Sequence, residues 1–183
     1  MGRKFGSKVG NFGGGKYLVE VTLIPETWII APIVTEEQLR RWYQKGWISE
    51  EDLHLDRAFP RNADGKPVIF KLWLLSPMKK ACDKLGYPRD VVRFSIVEDN
   101  IPVEYIVIPD KPLKYRRVIL TERPSTETFE YIDSTYELKF TAETMFPKEF
   151  VEVLTVAGKI GLMGRTKVGF GKFRAKFKVA EKK

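Results

Sequence analysis

The segment 148–179 constrains the fold of this chain more strongly than any other part of its sequence. Residues 148–157 carry apolar side chains at helical spacing, and residues 172–179 alternate strictly between cationic and apolar side chains. Such alternation indicates a strand with one buried face. Between these stretches, five glycines fall within the fourteen residues from Gly158 to Gly171, which we call the glycine-rich loop. The sequence therefore predicts a helix, a glycine-rich loop and a strand, in that order.

This order excludes two common nucleotide-binding motifs. A Walker loop opens a helix with Gly-Lys-Ser/Thr, and a dinucleotide fingerprint runs from a strand through glycines into a helix. In this chain the glycines follow a helix and precede a strand. We therefore expect no nucleotide cofactor.

Several further strands are predicted upstream. Residues 17–24 and 136–141 alternate between apolar and polar side chains, and residues 66–75 form an apolar run that suits a short strand. Three more strands are predicted within residues 91–121. Prolines at 102, 109 and 112 interrupt them, which favours sheet edges or a projecting hairpin for this segment.

Helices are predicted from their capping residues. They begin after Thr35, after Ser49 and after Ser76, and Pro77 suits the first position of the third helix. The whole order of elements favours an α+β fold of the ferredoxin-like type, a sandwich of a mainly antiparallel sheet with helices on one face. With 43% hydrophobic residues, residues 17–183 are predicted to form one domain.

Positive charge is concentrated at the two ends of the sequence. Residues 1–16 hold six glycines, four cations and no acid, and are predicted to be a flexible arm because glycine at this density is costly to order. Residues 158–183 carry nine Lys or Arg and one Glu, whereas the stretch between them is net acidic. This asymmetry favours a polyanionic partner, and nucleic acid over a membrane surface because no basic amphipathic helix accompanies the charge.

The glycine-rich loop is the predicted contact with that polyanion. Glycine permits positive φ, and successive exposed N–H groups form a concavity that binds anions. Arg165 and Lys167 add full charges, Thr166 adds a hydroxyl, and the following strand presents cations on one face. Phosphate contacts of this kind carry no sequence readout. The alternative is that these cations are solvated and only prevent an edge strand from pairing with another sheet.

Aromatic side chains are candidates for stacking on bases. Trp42 and Trp73 fall on apolar patterns that predict core positions. Trp47, which follows a glycine, and Phe170, inside the glycine-rich loop, are the better candidates for stacking.

The same segment resembles the RAMP superfamily of CRISPR-associated RNA-binding proteins. Its signature is a helix, a glycine-rich loop ending in a Gly-aromatic-Gly turn, and a final strand. The residues that carry this resemblance are Gly161, Gly164, Arg165, Gly169, Phe170 and Gly171. Residues 65–85 and 123–141 are more weakly similar to the first main helix and the penultimate strand region of the guide-RNA-binding backbone subunits. The chain differs from these subunits at residues 70–75, which are mostly apolar and large, whereas the backbone subunits have a turn of small residues at this place.

The resemblance implies an RRM-like fold, RNA binding, and assembly with other copies or other subunits in a ribonucleoprotein complex of antiviral defence. A virus- or plasmid-borne relative fits it equally. The residues expected to contact RNA are Gly161, Gly164, Arg165, Thr166, Lys167, Gly169, Phe170, Gly171, Lys172, Arg174, Lys176 and Lys178.

Few residues suggest catalysis. His54 is the only histidine, hence the only candidate of its type for a general base at a 2′-hydroxyl, and it fits a surface position on a short helix. Cys82 is the only cysteine and is predicted to be buried on a helix, so a Cys/His metal cluster and an internal disulfide are both excluded. The carboxylates of Asp64 and Asp99 stay open as candidates for metal-assisted cleavage.

We therefore expect a non-catalytic RNA-binding subunit without a metal or cofactor, in the reducing cytoplasm. Two alternatives stay open. The first is an endoribonuclease of the same fold that processes repeat RNA. The second is a structural component of a ribonucleoprotein or virion, in which the N-terminal arm locks onto a neighbour.

Overall fold

A computed structural model describes residues 16–120, 122–163 and 169–181. Its strands are β1 (Tyr17–Pro25), β2 (Ile29–Ile30), β3 (Val68–Phe70), β4 (Ser95–Glu98), β5 (Ile101–Val103), β6 (Tyr105–Val107), β7 (Leu113–Ile119), β8 (Ser125–Ile132), β9 (Leu138–Thr144) and β10 (Phe173–Glu181). Its α-helices are α1 (Glu36–Gln44), α2 (Lys71–Leu85) and α3 (Pro147–Ile160), and Glu50–His54 and Arg89–Val92 form short 3-10 helices. No helix within the described residues is both long and apolar enough to cross a membrane.

The main sheet has five strands in the order β10-β1-β9-β4-β5, and every neighbouring pair is antiparallel. The chain passes from β1 through α2 to β4, and from β9 through α3 to β10. These are two interleaved βαβ units, the ferredoxin-like arrangement. The predicted α+β fold is confirmed.

Apolar side chains on alternate strand positions bury one face of this sheet under the helices. In β1, Val19, Val21 and Leu23 are buried and belong to one core cluster with residues of α2 and α3. Cys82 of α2 lies in this cluster as predicted, and burial raises the pKa of its thiol. Glu20 and Thr22 occupy the other face, which is therefore the open face of the sheet.

Two smaller sheets flank the main one, in the orders β2-β8-β7 and β3-β6. Residues 91–121 consequently do not form one projecting hairpin. Their strands are divided among the main sheet (β4 and β5), the β3 pair (β6) and an exposed hairpin that β7 forms with β8. The prolines nevertheless act as predicted, since Pro102 lies in β5 at the edge of the main sheet.

Helix α2 begins earlier than its capping signal predicted. The helix starts at Lys71, so Ser76 is not its N-cap and Pro77 lies inside the helix, where its ring is buried. A proline inside a helix removes one backbone hydrogen bond, at a cost of about 3 kcal/mol. Leu74, fully buried one turn before Met78, extends the apolar stripe and offsets that cost. Residues 71–75, predicted as strand, are therefore helical, and only 68–70 form a strand.

The other capping residues act as predicted. Thr35 accepts from the Gln38 backbone N–H, and the Gln38 side chain returns to Thr35, so α1 opens with a full capping box. Ser49 precedes the 3-10 helix Glu50–His54, where His54 is exposed at the last position. Trp42 of α1 is buried in a second, smaller core cluster with Leu39 and Ile48.

Candidate nucleic-acid interface

The two ends of the glycine-rich loop are joined by close backbone contacts. The Gly171 N–H donates to the Trp28 carbonyl at 2.8 Å, and the Gly171 carbonyl accepts from the Leu162 N–H at 2.8 Å. Gly171 has φ +83°, and a Cβ there would lie 2.1 Å from the Leu162 carbonyl oxygen. Only glycine meets both demands, the left-handed backbone and the close approach.

Gly158 has a related function in the last turn of α3. A Cβ on Gly158 would lie 2.1 Å from the Phe173 carbonyl oxygen, so this glycine lets α3 rest directly on the first residue of β10. Gly161 follows the helix end with φ +105°, and its N–H donates to the Ala157 carbonyl.

These contacts revise the role predicted for two of the loop glycines. The N–H groups of Gly161 and Gly171 are engaged in the base of the loop, and both residues are buried. They shape the loop instead of offering N–H groups to a phosphate. Gly169 has φ +95°, and no atom of the described residues lies within 4 Å of its Cβ position. The contacts predicted for Gly164, Arg165, Thr166 and Lys167 lie outside the described residues and stay predictions.

Strand β10 continues from the loop as a row of cations. Arg174, Lys176 and Lys178 are exposed and lie directly opposite Ile24, Thr22 and Glu20 of β1, on the open face of the sheet. None of the three cations forms an ion pair with a described residue. We call these three residues the cationic row.

The other face of β10 packs toward the core. Phe173 is 3% exposed, and Ala175 and Phe177 are half-buried. The alternation predicted for this strand is therefore confirmed from Phe173 to Phe177, whereas Val179, predicted to face the core, is 49% exposed near the end of the strand. Lys172, just before the strand, is exposed, and its backbone N–H donates to Thr27 Oγ1 at 3.0 Å, which holds the start of β10 beside the turn after β1.

An aromatic cluster lies at the foot of the glycine-rich loop. The Trp28 ring stacks on Tyr131 with centroids 4.1 Å apart, meets Tyr115 edge-on at 5.4 Å, and lies 6.4 Å from Phe170. Trp28 is the residue whose carbonyl accepts from Gly171, so the cluster and the loop base form one unit. We call Trp28, Tyr115, Tyr131 and Phe170 the aromatic cluster.

Sequence reasoning found only Phe170 of this cluster. The other three come from two strands and a connecting turn, far apart in the chain. The pairing of β7 with β8 places Tyr115 opposite Phe129, on the same face as Tyr131. The sequence signal that could have found this face is the alternation within 125–132, where Phe129 and Tyr131 are two residues apart.

The other tryptophans named as candidates pack against their own chain. Trp47 is half-buried, with its ring against Gly65 and with Lys45 Nζ 4.5 Å from its centroid. Trp73 is half-buried, 4.8 Å from Phe70 between ring centroids, and packs against the main core. Neither belongs to the aromatic cluster.

The hairpin β7–β8 adds cations beside the cluster. The two carboxylates of β8 are engaged by arginines of the body, with Arg57 Nε 2.7 Å from Glu127 and Arg61 2.9 Å from Glu130. Arg116 and Arg117 of β7 are exposed and form no ion pair with a described residue. Arg117 lies on the face of β7 that carries Tyr115, and Arg116 lies on the opposite face.

Lys114 anchors the base of β7 to the 3-10 helix Glu50–His54 through an ion pair with Asp52. Burial alone would raise the pKa of the Asp52 carboxyl, but the hydrogen bond and charge of Lys114 and the hydrogen bonds from Ser49 together lower it. Because the pKa of Asp52 is lower in the folded state, its carboxylate stabilises the fold at any pH above the unfolded-state pKa of about 3.9. This stabilisation is lost as the pH falls through the pKa of the folded state.

We expect Asp52→Asn to lower the free energy of unfolding at pH 7 by about 1–3 kcal/mol, because a charged hydrogen-bond acceptor is removed. The difference from the unmodified protein should begin to shrink near pH 4, where Asp52 becomes protonated in the unfolded chain, and it should continue to shrink as the pH falls through the lowered folded-state pKa. Urea denaturation at several pH values measures both quantities. A difference that is constant from pH 7 to pH 3 would contradict the role given to this ion pair.

Among the described residues, no three His, Cys, Asp or Glu side chains are placed to hold a metal ion. The two loop carboxylates named as candidates lie in tight turns. Asp99 has φ +51° in the turn between β4 and β5, and the Asp64 N–H donates to Asn62 Oδ1 at 3.0 Å.

Comparison with known proteins supports the fold. No family model and no curated protein matches the chain. Among solved structures, it is similar to a chain of type III-B Cmr-beta bound to cognate target RNA, with a TM-score of 0.62 at 13% identity; the match covers 97% of this chain and 65% of the other. It is also similar to Csc2 of Thermofilum pendens, with a TM-score of 0.36 at 11% identity over 99% of this chain and 71% of that one.

The chain thus spans 65% of the length of the Cmr-beta chain that it matches. At 13% identity, this likeness shows a shared fold. This shared fold is consistent with the fold that the resemblance of the glycine-rich loop implied. The described ends of this loop are built around backbone contacts at Gly158 and Gly171. The chain therefore shares its α+β fold with this Cmr-beta chain, which is the fold class that the sequence predicted.

Proposed function

We propose that this chain is a non-catalytic RNA-binding subunit of a CRISPR-type ribonucleoprotein, and that it holds the phosphate backbone along strand β10 and the glycine-rich loop. The cationic row is the observation that carries this proposal. Three exposed cations lie on one face of one strand, without ion-pair partners among the described residues, directly after the loop. The Cmr-beta structure that contains the similar chain is bound to cognate target RNA, which supports RNA as the polyanion.

The electrostatic case depends on repulsion within the row. Side chains two residues apart on a strand lie on the same face, so Arg174, Lys176 and Lys178 are consecutive neighbours. Like charges at this spacing raise the free energy of the isolated protein unless counterions or a partner neutralise them. Phosphates that replace those counterions give an affinity that depends on salt and not on sequence.

A second explanation is that the lysines prevent edge-to-edge pairing with another sheet, since β10 is an edge strand of the main sheet. The two explanations predict different results on binding. Guarding lysines would leave RNA affinity unchanged when removed, although aggregation would increase. Phosphate-binding cations would leave solubility largely unchanged, although RNA affinity would fall.

We expect the triple variant Arg174→Ala, Lys176→Ala, Lys178→Ala to bind single-stranded RNA at least about tenfold more weakly at physiological salt. The slope of log affinity against log salt should become shallower by roughly 0.7 for each phosphate that the variant no longer neutralises. The matched control removes the same charge elsewhere, with alanine at the exposed residues Lys79, Lys80 and Lys84 of α2. Equal reductions in affinity for both triple variants would refute the proposal, because they would report net charge alone.

Two further measurements test the remaining parts of the proposal. Arg165→Ala with Lys167→Ala should weaken binding to RNAs of different sequence alike, since these residues are predicted to contact phosphates. Labelled RNA incubated with the protein, with and without EDTA, should stay intact. Cleavage that disappears in a His54→Ala variant would favour the endoribonuclease alternative.

A further inference from the structure

We infer that the aromatic cluster is a subsite for one unstacked base of single-stranded RNA, which stacks on the exposed ring of Tyr115. This inference rests on the proposed function and deepens it, because it names a second type of contact beside the phosphates. Four aromatic rings from three distant parts of the chain meet here, at the foot of the predicted RNA-binding loop.

The cluster is held in place before any ligand arrives. Trp28 is fixed by its stacking on Tyr131 and by the hydrogen bond that its carbonyl accepts from Gly171. Beside Tyr115, directly opposite on β8, lies Phe129, which is 2% exposed, with ring centroids 5.8 Å apart. A rigid aromatic surface loses little conformational entropy when a base stacks on it.

The exposed part of the cluster is the part suited to stacking. Tyr115 is 45% exposed, although the rings of Trp28 and Phe129 lie beside it. Leu113, on the same face of β7, is 37% exposed. Trp28, Tyr131 and Phe170 are each half-buried. Every nucleic-acid base has an apolar face of this shape, so stacking does not require a particular sequence.

Charge complementarity favours RNA over an apolar protein surface as the occupant. Arg117 lies two residues from Tyr115 on the same face of β7, opposite Glu127, whose carboxylate is already paired with Arg57. Lys172, which is exposed, follows Phe170 by two residues in the sequence. An exposed cation therefore follows one cluster residue on the hairpin, and another follows one just before β10. A stacked base brings a phosphate on each side of its sugar, which matches this arrangement.

Base stacking requires a base that is free of its duplex partner. Side chains cannot reach bases inside an A-form duplex, whereas single strands present their base faces to aromatic rings. The subsite is therefore expected to distinguish single-stranded from double-stranded RNA, which phosphate contacts along the cationic row alone would not do.

The test compares three variants on a single-stranded RNA that contains 2-aminopurine, a base whose fluorescence is quenched by stacking. Tyr115→Ala should weaken binding by about 5- to 100-fold and abolish quenching, with an unchanged salt slope. Tyr115→Phe keeps the ring and should behave like the unmodified protein. Tyr43→Ala on α1 is the matched control, since Tyr43 is also 45% exposed, and it should change neither affinity nor quenching.

The outcomes separate this inference from the proposed function. Full affinity and quenching in Tyr115→Ala, together with weak binding in the triple variant of the cationic row, would overturn the base subsite and leave the proposed function standing. Full affinity in both variants would overturn both. If Tyr115→Ala binds RNA normally but no longer self-associates in analytical ultracentrifugation, the cluster is a protein-docking surface and the inference is wrong.

Discussion

Replacing Gly171 with alanine is expected to lower the free energy of unfolding by about 2–5 kcal/mol, one of the two largest effects predicted for this chain. About 1–2 kcal/mol comes from holding alanine at φ +83°, and about 1–3 kcal/mol from the overlap of its Cβ with the Leu162 carbonyl oxygen. Because that oxygen belongs to the backbone, the overlap is relieved only if the base of the glycine-rich loop opens. Urea denaturation gives the free energy directly.

Gly169 provides a matched control for this variant. It also has positive φ, +95°, but none of the atoms in the described parts of the chain lies within 4 Å of its Cβ position. Gly169→Ala should therefore cost only the conformational term, about 1–2 kcal/mol. If the two alanine variants are destabilised equally, the close approach of Leu162 to Gly171 contributes nothing, and the predicted difference between the two glycines is wrong.

Removing Arg61 is expected to destabilise the chain by about 3–5 kcal/mol, because it leaves the carboxylate of Glu130 buried without its cationic partner. The two side chains are 6% and 2% exposed, and the pair is bidentate, with distances of 3.1 and 2.9 Å. Glu130 also accepts from the Phe59 N–H at 2.9 Å, so the carboxylate joins the body to strand β8. Arg61→Met preserves most of the volume of the side chain while it removes the charge.

Two controls identify the cause of the destabilisation. Arg89→Met breaks the pair with Asp83, whose side chains are 57% and 62% exposed, and should cost about 0–1 kcal/mol. Adding Glu130→Gln to Arg61→Met should recover part of the stability, since a neutral amide still accepts from Phe59 and is less costly to bury. No recovery in this double variant would indicate that Arg61 acts mainly through packing, for example over the Trp42 ring.

Local patterns predicted most of the fold. The alternation in β1 and β10 and the capping box of α1 depend on neighbours a few residues away, so the sequence contains the whole signal. The predicted start of α2 was wrong because the local signal of Ser76 and Pro77 is weaker than the burial of Leu74, which depends on the packed core.

The candidate site was predictable only in part, because the same residue type serves two purposes. A glycine with exposed N–H groups and a glycine that admits a neighbouring carbonyl have the same letter in the sequence. The partners of Gly158 and Gly171 are the carbonyls of Phe173 and Leu162, and these contacts exist only in three dimensions. The aromatic cluster was missed for a similar reason, since Trp28 and Tyr115 meet through strand pairing between distant segments.

The pairing of β1 with β10 has a consequence for how the molecule folds. Tyr17 lies opposite Glu181, so the first and last described strands are neighbours along their full length. Bringing together two strands that are so far apart in the sequence costs loop-closure entropy. The resulting high contact order is expected to make folding slower than that of helical proteins. The cationic row joins the sheet only when this closure is complete. A ligand that binds the row therefore selects fully folded chains and stabilises them against unfolding by mass action.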